Sequence, residues 1–201
     1  MYNKVVFNTK IDKNLSDICK TNLNDHLMAL RALESDVDKI ILFASKIAYS
    51  LQKGGKIFWC GNGGSAADCQ HLSAEFVCRF KNNRRPLSSI SLTTDTSALT
   101  AIANDYDYES IFSRQIEANM KENDVLIAIS TSGKSENIIK ALKTSKDLNI
   151  YTIAMTGREG GHLSKFTNNI INVDSNNTAR IQEIHILIGH LLCEIIEKII
   201  I

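Results

Sequence analysis

From residue 56 onward the chain repeats one pattern: a short unbroken apolar run, a cluster of Gly, Ser, Thr or Asp, and then an amphipathic stretch. The apolar runs are Lys56–Cys60, Ser88–Thr93, Val125–Ser130, Tyr151–Thr156 and Ile170–Val173. Hydrophobicity that continues without alternation suits strands buried on both faces, and helices between such strands imply right-handed crossovers in a parallel sheet. Ligands of such sheets sit outside the carboxyl ends of the strands. The loops at 61–65, 94–96, 130–135 and 156–161 are therefore where function is expected.

The residues before this repeat read differently. Leu15, Ile18, Leu23, Leu27, Leu30 and Leu33 recur at helical spacing, and a second helix runs from about Ser35 through Ile40, Ile41, Ala44, Ile47 and Leu51 to a stop at Gly54-Gly55. Residues 1–54 are expected to form a helical arm packing on the core or on a neighbouring subunit. With 201 residues, Pro86 as the only proline and no repeat or low-complexity linker, the whole chain 1–201 reads as one domain. Thr178 to Ile201 is expected to be a long helix, apolar nearly all round and so buried.

Composition excludes several classes. Hydrophobic residues at 44% and charged residues at 22% permit a packed core. Lys+Arg 23 against Asp+Glu 22 leaves a net charge of +1, which offers no whole-chain field for gripping a nucleic acid. No apolar run approaches the ~20 residues needed to span a bilayer, and Met1–Lys13 is too polar for a secretory signal, so a cytoplasmic location is expected. Five cysteines without a Cys-x-x-Cys pair signal reduced thiols packed as small apolar groups.

Two loops carry the chemistry. Gly61-Asn62-Gly63-Gly64-Ser65-Ala66 follows a strand and opens a helix, and it satisfies G-x-G-x-x-[GA]. The acidic ribose ligand expected ~20 residues later in a dinucleotide site falls instead in the basic stretch Arg79–Arg85, which makes that reading poor. Ser130-Thr131-Ser132-Gly133-Lys134-Ser135 resembles the end of a Walker A loop, but its opening glycine would have to be Ala128. What this loop offers is the hydroxyls of Ser130, Thr131, Ser132 and Ser135 with backbone N–H groups at a helix N-terminus, a setting for a phosphomonoester. Ordinary capping would need one hydroxyl. The run 79–85 reads mainly as a solvated loop.

On the helices, His71 and Glu75 leave one face a turn apart, spacing that suits a shared metal or proton path as well as a plain surface pair. Gln182, Glu183, His185 and His190 interrupt the oily C-terminal helix, where unpaired polar groups are costly. Gln182 and His190 are eight residues apart, a rise of about 12 Å, which makes one small ion hard for both to reach from one chain. Neighbouring chains are expected to complete the site.

With these pieces assembled, the chain resembles the sedoheptulose 7-phosphate isomerases (phosphoheptose isomerases) of the sugar isomerase superfamily. The resemblance runs from about residue 35 to the end and rests on C-G-N-G-G-S at Cys60–Ser65, H-x-x-x-E at His71–Glu75, A-N-D at Ala103–Asp105, S-T-S-G-x-S at Ser130–Ser135, T-G-x-x-G-G at Thr156–Gly161 and R-I-Q-E-I-H-x-x-x-x-H at Arg180–His190. It implies an α/β fold, a three-layer α/β/α sandwich with a five-stranded parallel, flavodoxin-like sheet, assembled as a homotetramer with sites between subunits. It also implies zinc held by His71, Glu75, Gln182 and His190, and an acid/base pair of Glu75 and His190. Substrate contacts carried over in the same way are Asn62, Gly63, Gly64, Glu75, Asn104, Asp105, Ser130, Thr131, Ser132, Ser135 and Gln182, with Ser65 added. The expected reaction converts sedoheptulose 7-phosphate to the aldose through an enediolate, feeding heptose for surface polysaccharide. A non-catalytic branch that associates with the replication initiator lacks the glutamate and the last histidine, so Glu75 and His190 favour an enzyme. No role attaches to the first dozen residues.

Overall fold

The computed structural model describes residues 12–158 and 160–201; the N-terminal eleven and Glu159 lie outside the described residues. Five strands, β1 (Ile57–Gly61), β2 (Ser89–Ser91), β3 (Val125–Ser130), β4 (Tyr151–Gly157) and β5 (Ile170–Val173), pair in parallel in the order β2-β1-β3-β4-β5. This is the flavodoxin-like order, and it reverses direction at β1/β3, where a crevice opens at the strand ends. Every residue of β1 and β3 is buried, the reason their sequences run apolar without alternation.

Strand residues alternate between two cores. Ile57, Trp59, Val125, Ile127 and Ile129 point to a layer made by α1 (Lys13–Ala32), α2 (Val37–Gln52), α3 (Gly64–Val77) and α7 (Thr178–Ile200). Phe58, Cys60, Leu126 and Ala128 point to the opposite layer, made by α4 (Thr96–Asp105), α5 (Ser113–Asn119) and α6 (Glu136–Asp147). The three-layer sandwich follows from this two-residue period. The buried Trp59 indole keeps its N–H satisfied by donating to Ser89 Oγ at 2.8 Å.

The arm ends where its glycines place it. Gly54 takes φ +82°, its N–H donates to the Leu51 carbonyl, and the Gly55 N–H donates to that of Ser50, a Schellman closure that a residue with a Cβ resists. Part of the α1 expectation is altered: Leu15, Ile18, Leu23 and Leu27 stay exposed, and only Ala29, Leu30 and Leu33 reach the core. The exposed part of α1 is tied to α7 by polar contacts, Arg180 donating to the Asn22 carbonyl at 2.9 Å and His26 meeting Glu183 at 2.7 Å. The thiols also divide: Cys60, Cys69 and Cys193 are buried, but Cys19 on α1 and Cys78 just after α3 are exposed. No described helix is long and apolar enough to cross a membrane.

His185 is fully buried on α7 under β4, where its Nε2 meets the Thr156 carbonyl at 3.0 Å and its Nδ1 has no partner. Burial lowers its pKa from 6.5 to about 4. Unfolded chains therefore take up a proton that the native state refuses, and stability that is complete above pH 6.5 is lost as pH falls towards 4, by about 3 kcal/mol. Urea midpoints across this window should show the loss; a flat profile in it contradicts the assignment.

Candidate functional site

The two loops meet at the β1/β3 crevice. Gly63 caps α3 with φ +57°, and Ala66 and Ala67 donate to its carbonyl, leaving the N–H groups of Gly64 and Ser65 at the open helix end. Asn62 and Asn137 exchange two side-chain hydrogen bonds of 2.8 Å each, tying the glycine loop to α6. Tyr108 adds a third, donating to Asn62 Oδ1 at 3.2 Å. The Asn62 carboxamide is thus occupied in bridging loops. Across the crevice Ser130 and Ser135 pair through their hydroxyls at 3.2 Å, Ser132 Oγ accepts from the Lys134 N–H at 3.2 Å, and Thr131 is partly exposed. Ser135 takes the N-cap position of α6 without capping it. Its hydroxyl turns instead to Ser130 at the loop's start.

A pocket of about 250 Å³ opens at the mouth of β1 between Gly61, Asn62, Gly63, Thr93, Ala103 and Tyr108. Asn104 and Asp105 end α4 just beyond Ala103 and hydrogen-bond to each other at 2.8 Å.

A second cluster lies along the seam of α3 and α7. The helices close tightly because residue 189 is glycine: a methyl there would collide with the Leu72 side chain. This approach brings His190 Nε2 to 2.9 Å from His71 Nε2, so one ring donates to the other. Glu75 Oε1 is 3.6 Å from the same His71 nitrogen. The described His, Cys, Asp and Glu side chains nowhere converge as a group of three or more placed to hold a metal ion.

Gln182 sits apart from that cluster. Its carboxamide lies over Gly64, where any Cβ would strike it, and donates to Asp68 Oδ1 at 3.3 Å. Gln182 and His190 therefore face different turns of α3, as their spacing requires. The larger separation lies on α3 itself: Gly64 and Glu75 are eleven residues apart, a rise of about 16 Å. Because α3 runs back along the sheet, it carries Glu75 away from the serine loop.

Sequence reasoning missed Asp68. It is buried, its Oδ2 has no hydrogen-bond partner, and burial pushes its carboxyl above the usual range against the opposing pull of the Gln182 amide and the His71 and His190 imidazoles. The available clue was spacing, since Asp68 precedes His71 by three and Glu75 by seven on one helical face. The reading of 79–85 as a solvated loop is corrected in part. Arg79, Lys81 and Arg85 are exposed, but the Arg84 side chain is 3% accessible and pairs with the buried Glu197 at 2.8 Å.

The chain is similar along most of its length to known proteins. Residues 23–157 match the SIS domain model. Phosphoheptose isomerase 1 of Campylobacter jejuni is 51% identical over 174 residues, covering 87% of this chain and 94% of that protein. The phosphoheptose isomerase of Aquifex aeolicus is 51% identical over 85% of this chain and 90% of its own length. Among solved structures, the phosphoheptose isomerase of Neisseria gonorrhoeae superposes with a TM-score of 0.86 at 40% identity, covering 92% of this chain and 99% of that one. That of Francisella tularensis gives 0.88 at 36% identity, covering 93% and 100%. With its parallel five-stranded sheet, its paired loops and this likeness along most of its length, the chain belongs to the phosphoheptose isomerase family of SIS-domain proteins.

Proposed function

We infer that this protein is an isomerase converting sedoheptulose 7-phosphate to D-glycero-D-manno-heptose 7-phosphate. The observation that carries the reading is the meeting of a carboxylate from α3 and an imidazole from α7 beside His71, in a chain that also builds an anion-binding loop at the end of its sheet. Moving a proton from C1 to C2 requires a base at carbon, an acid at oxygen and stabilisation of the enediolate. Glu75 takes the C1 proton and returns it to C2, while His190 moves the proton between the two oxygens. The serine loop and the N–H groups at the start of α3 hold the phosphate and set its distance from the reacting carbons.

Zinc fits the donor chemistry of His71, Glu75, Gln182 and His190, two imidazole nitrogens and two side-chain oxygens of the types that ion takes. When bound it supplies Lewis-acid polarisation of the substrate oxygens. The ~16 Å between Gly64 and Glu75 exceeds what one sugar phosphate can bridge comfortably within a chain. A composite site resolves this: the loop and Gln182 of one subunit face His71, Glu75 and His190 of another. The exposed stripe Leu15, Ile18, Leu23 and Leu27 supports assembly, proposed here as a homotetramer, since apolar faces of this kind seek a partner. The reading places the enzyme in the cytoplasm, supplying heptose for surface polysaccharide.

A panel of seven-, six- and five-carbon ketose phosphates, assayed with and without a chelator, tests the proposal. Turnover of the seven-carbon ketose, abolished by chelation and restored by zinc, is expected. Tight binding without turnover in the presence of zinc would point instead to a sugar-phosphate-reading regulator.

A further inference from the structure

His190 has an unusual anchorage. A working imidazole is generally oriented by a hydrogen bond from its second ring nitrogen to a carboxylate or carbonyl. Among the described residues, His190 makes only the Nε2 contact to His71, and its Nδ1 meets no such acceptor. Its plane is set by packing. Phe80 stacks on it with centroids 5.5 Å apart and planes within 16°, and the His71 ring meets it edge-on at 5.2 Å.

Phe80 belongs to the segment after α3, which has no regular structure of its own. That segment is nonetheless fixed at five points by one buried carboxylate. Glu197 Oε1 accepts the Phe80 N–H at 2.8 Å and Arg84 Nε at 2.8 Å. Its Oε2 accepts the Lys81 and Asn82 N–H groups at 3.0 Å each and the Asn82 side chain at 3.2 Å. Arg84 then reaches back, donating to the Phe76 carbonyl at 2.8 Å and the Glu75 carbonyl at 2.9 Å, which closes the end of α3. Glu197 lies seven residues after His190, two turns along the same face of α7, a rise of about 10 Å. It grips the Phe80 backbone while the ring folds back onto His190.

We propose that Phe80, locked by Glu197 and Arg84, is a positioning residue for the isomerisation: its ring holds the His190 imidazole in the plane needed to serve the substrate oxygens, and the same strut holds Glu75 opposite. The inference rests on the isomerase reading above. A buried ion pair is weak evidence of stabilisation but can fix a unique geometry, and misplacing a reacting group by an ångström costs rate far more than affinity. The phosphate grip lies elsewhere, on the serine loop, so the strut should act on kcat.

Steady-state kinetics of the full-length zinc-loaded protein with sedoheptulose 7-phosphate test this. Phe80→Leu, which keeps apolar volume but loses the flat face, is expected to lower kcat by about tenfold or more with KM within about twofold. Phe80→Tyr, which restores a ring, should recover most of that loss. Glu197→Gln should lower kcat as well, and the Phe80 pair stands independently of whether that variant folds. Wild-type turnover in the same assay judges the isomerase reading separately. A Phe80→Leu enzyme with kcat within twofold of wild type, or a Phe80→Tyr enzyme as slow as Phe80→Leu, overturns the positioning role.

Discussion

Glu75→Gln is expected to lower kcat by about 10³-fold, the middle of the range for removing a general base, while thermal unfolding stays close to wild type. The substitution keeps the shape of the side chain and removes only the carboxylate. The fold should tolerate it because the side chain makes a single ion pair, to His71 at 3.6 Å, whereas the structural contact at this position uses the backbone carbonyl. Activity within tenfold of wild type would assign the base elsewhere. The same variant also tests the composite site. A Ser132→Glu subunit, with a negative charge in the serine loop proposed to hold the phosphate, and a Glu75→Gln subunit should each be inactive alone. In verified mixed oligomers, about a quarter of the sites would combine an intact loop from one chain with an intact acid/base pair from another. Mixed oligomers no more active than either parent would place both halves of the site in one chain.

Arg84→Ala carries the largest expected effect on stability. The Arg84 and Glu197 side chains are 3% and 1% accessible, so removing the guanidinium strands a carboxylate away from water. Breaking a buried pair in this way costs about 3–5 kcal/mol. For a chain of this size the thermal midpoint should fall by roughly 10 °C at neutral pH. Burial alone would raise the Glu197 pKa, but the N–H groups of Phe80, Asn82 and Lys81 and the Arg84 charge outweigh it and hold the pKa down from 4.5 to about 2. The stabilisation is thus complete above pH 4.5 and lost as pH falls through 2, and the gap between wild type and variant should narrow over that interval. A midpoint unchanged at pH 7 would mean that the pair contributes nothing to holding the loop.

The strands and helix ends were legible in the chain because each depends on its own residues. Val125–Ser130 runs apolar because both faces of a central parallel strand are covered, and Gly54-Gly55 stops α2 because a left-handed residue suits the closure. The serine loop was legible for the same reason: four hydroxyls at one helix start are a local fact. Asp68, Phe80 and Glu197 were not. Each acts on residues far along the chain, Glu197 on a loop more than 110 positions earlier, and nothing near it in sequence marks it as more than one charge on a helix end.

The amino-acid order alone determined the α/β class, the position of the serine loop and which helices carry imidazoles and carboxylates, since periodicity and side-chain chemistry are local properties. The tertiary structure decided which of them share a place. It seats His190 against His71 and Phe80, Glu75 beside His71, and Gln182 against Gly64 and Asp68. The reason is helix geometry: α3 carries its polar residues back along the sheet at 1.5 Å each, so motifs adjacent in a family pattern end at opposite ends of one layer.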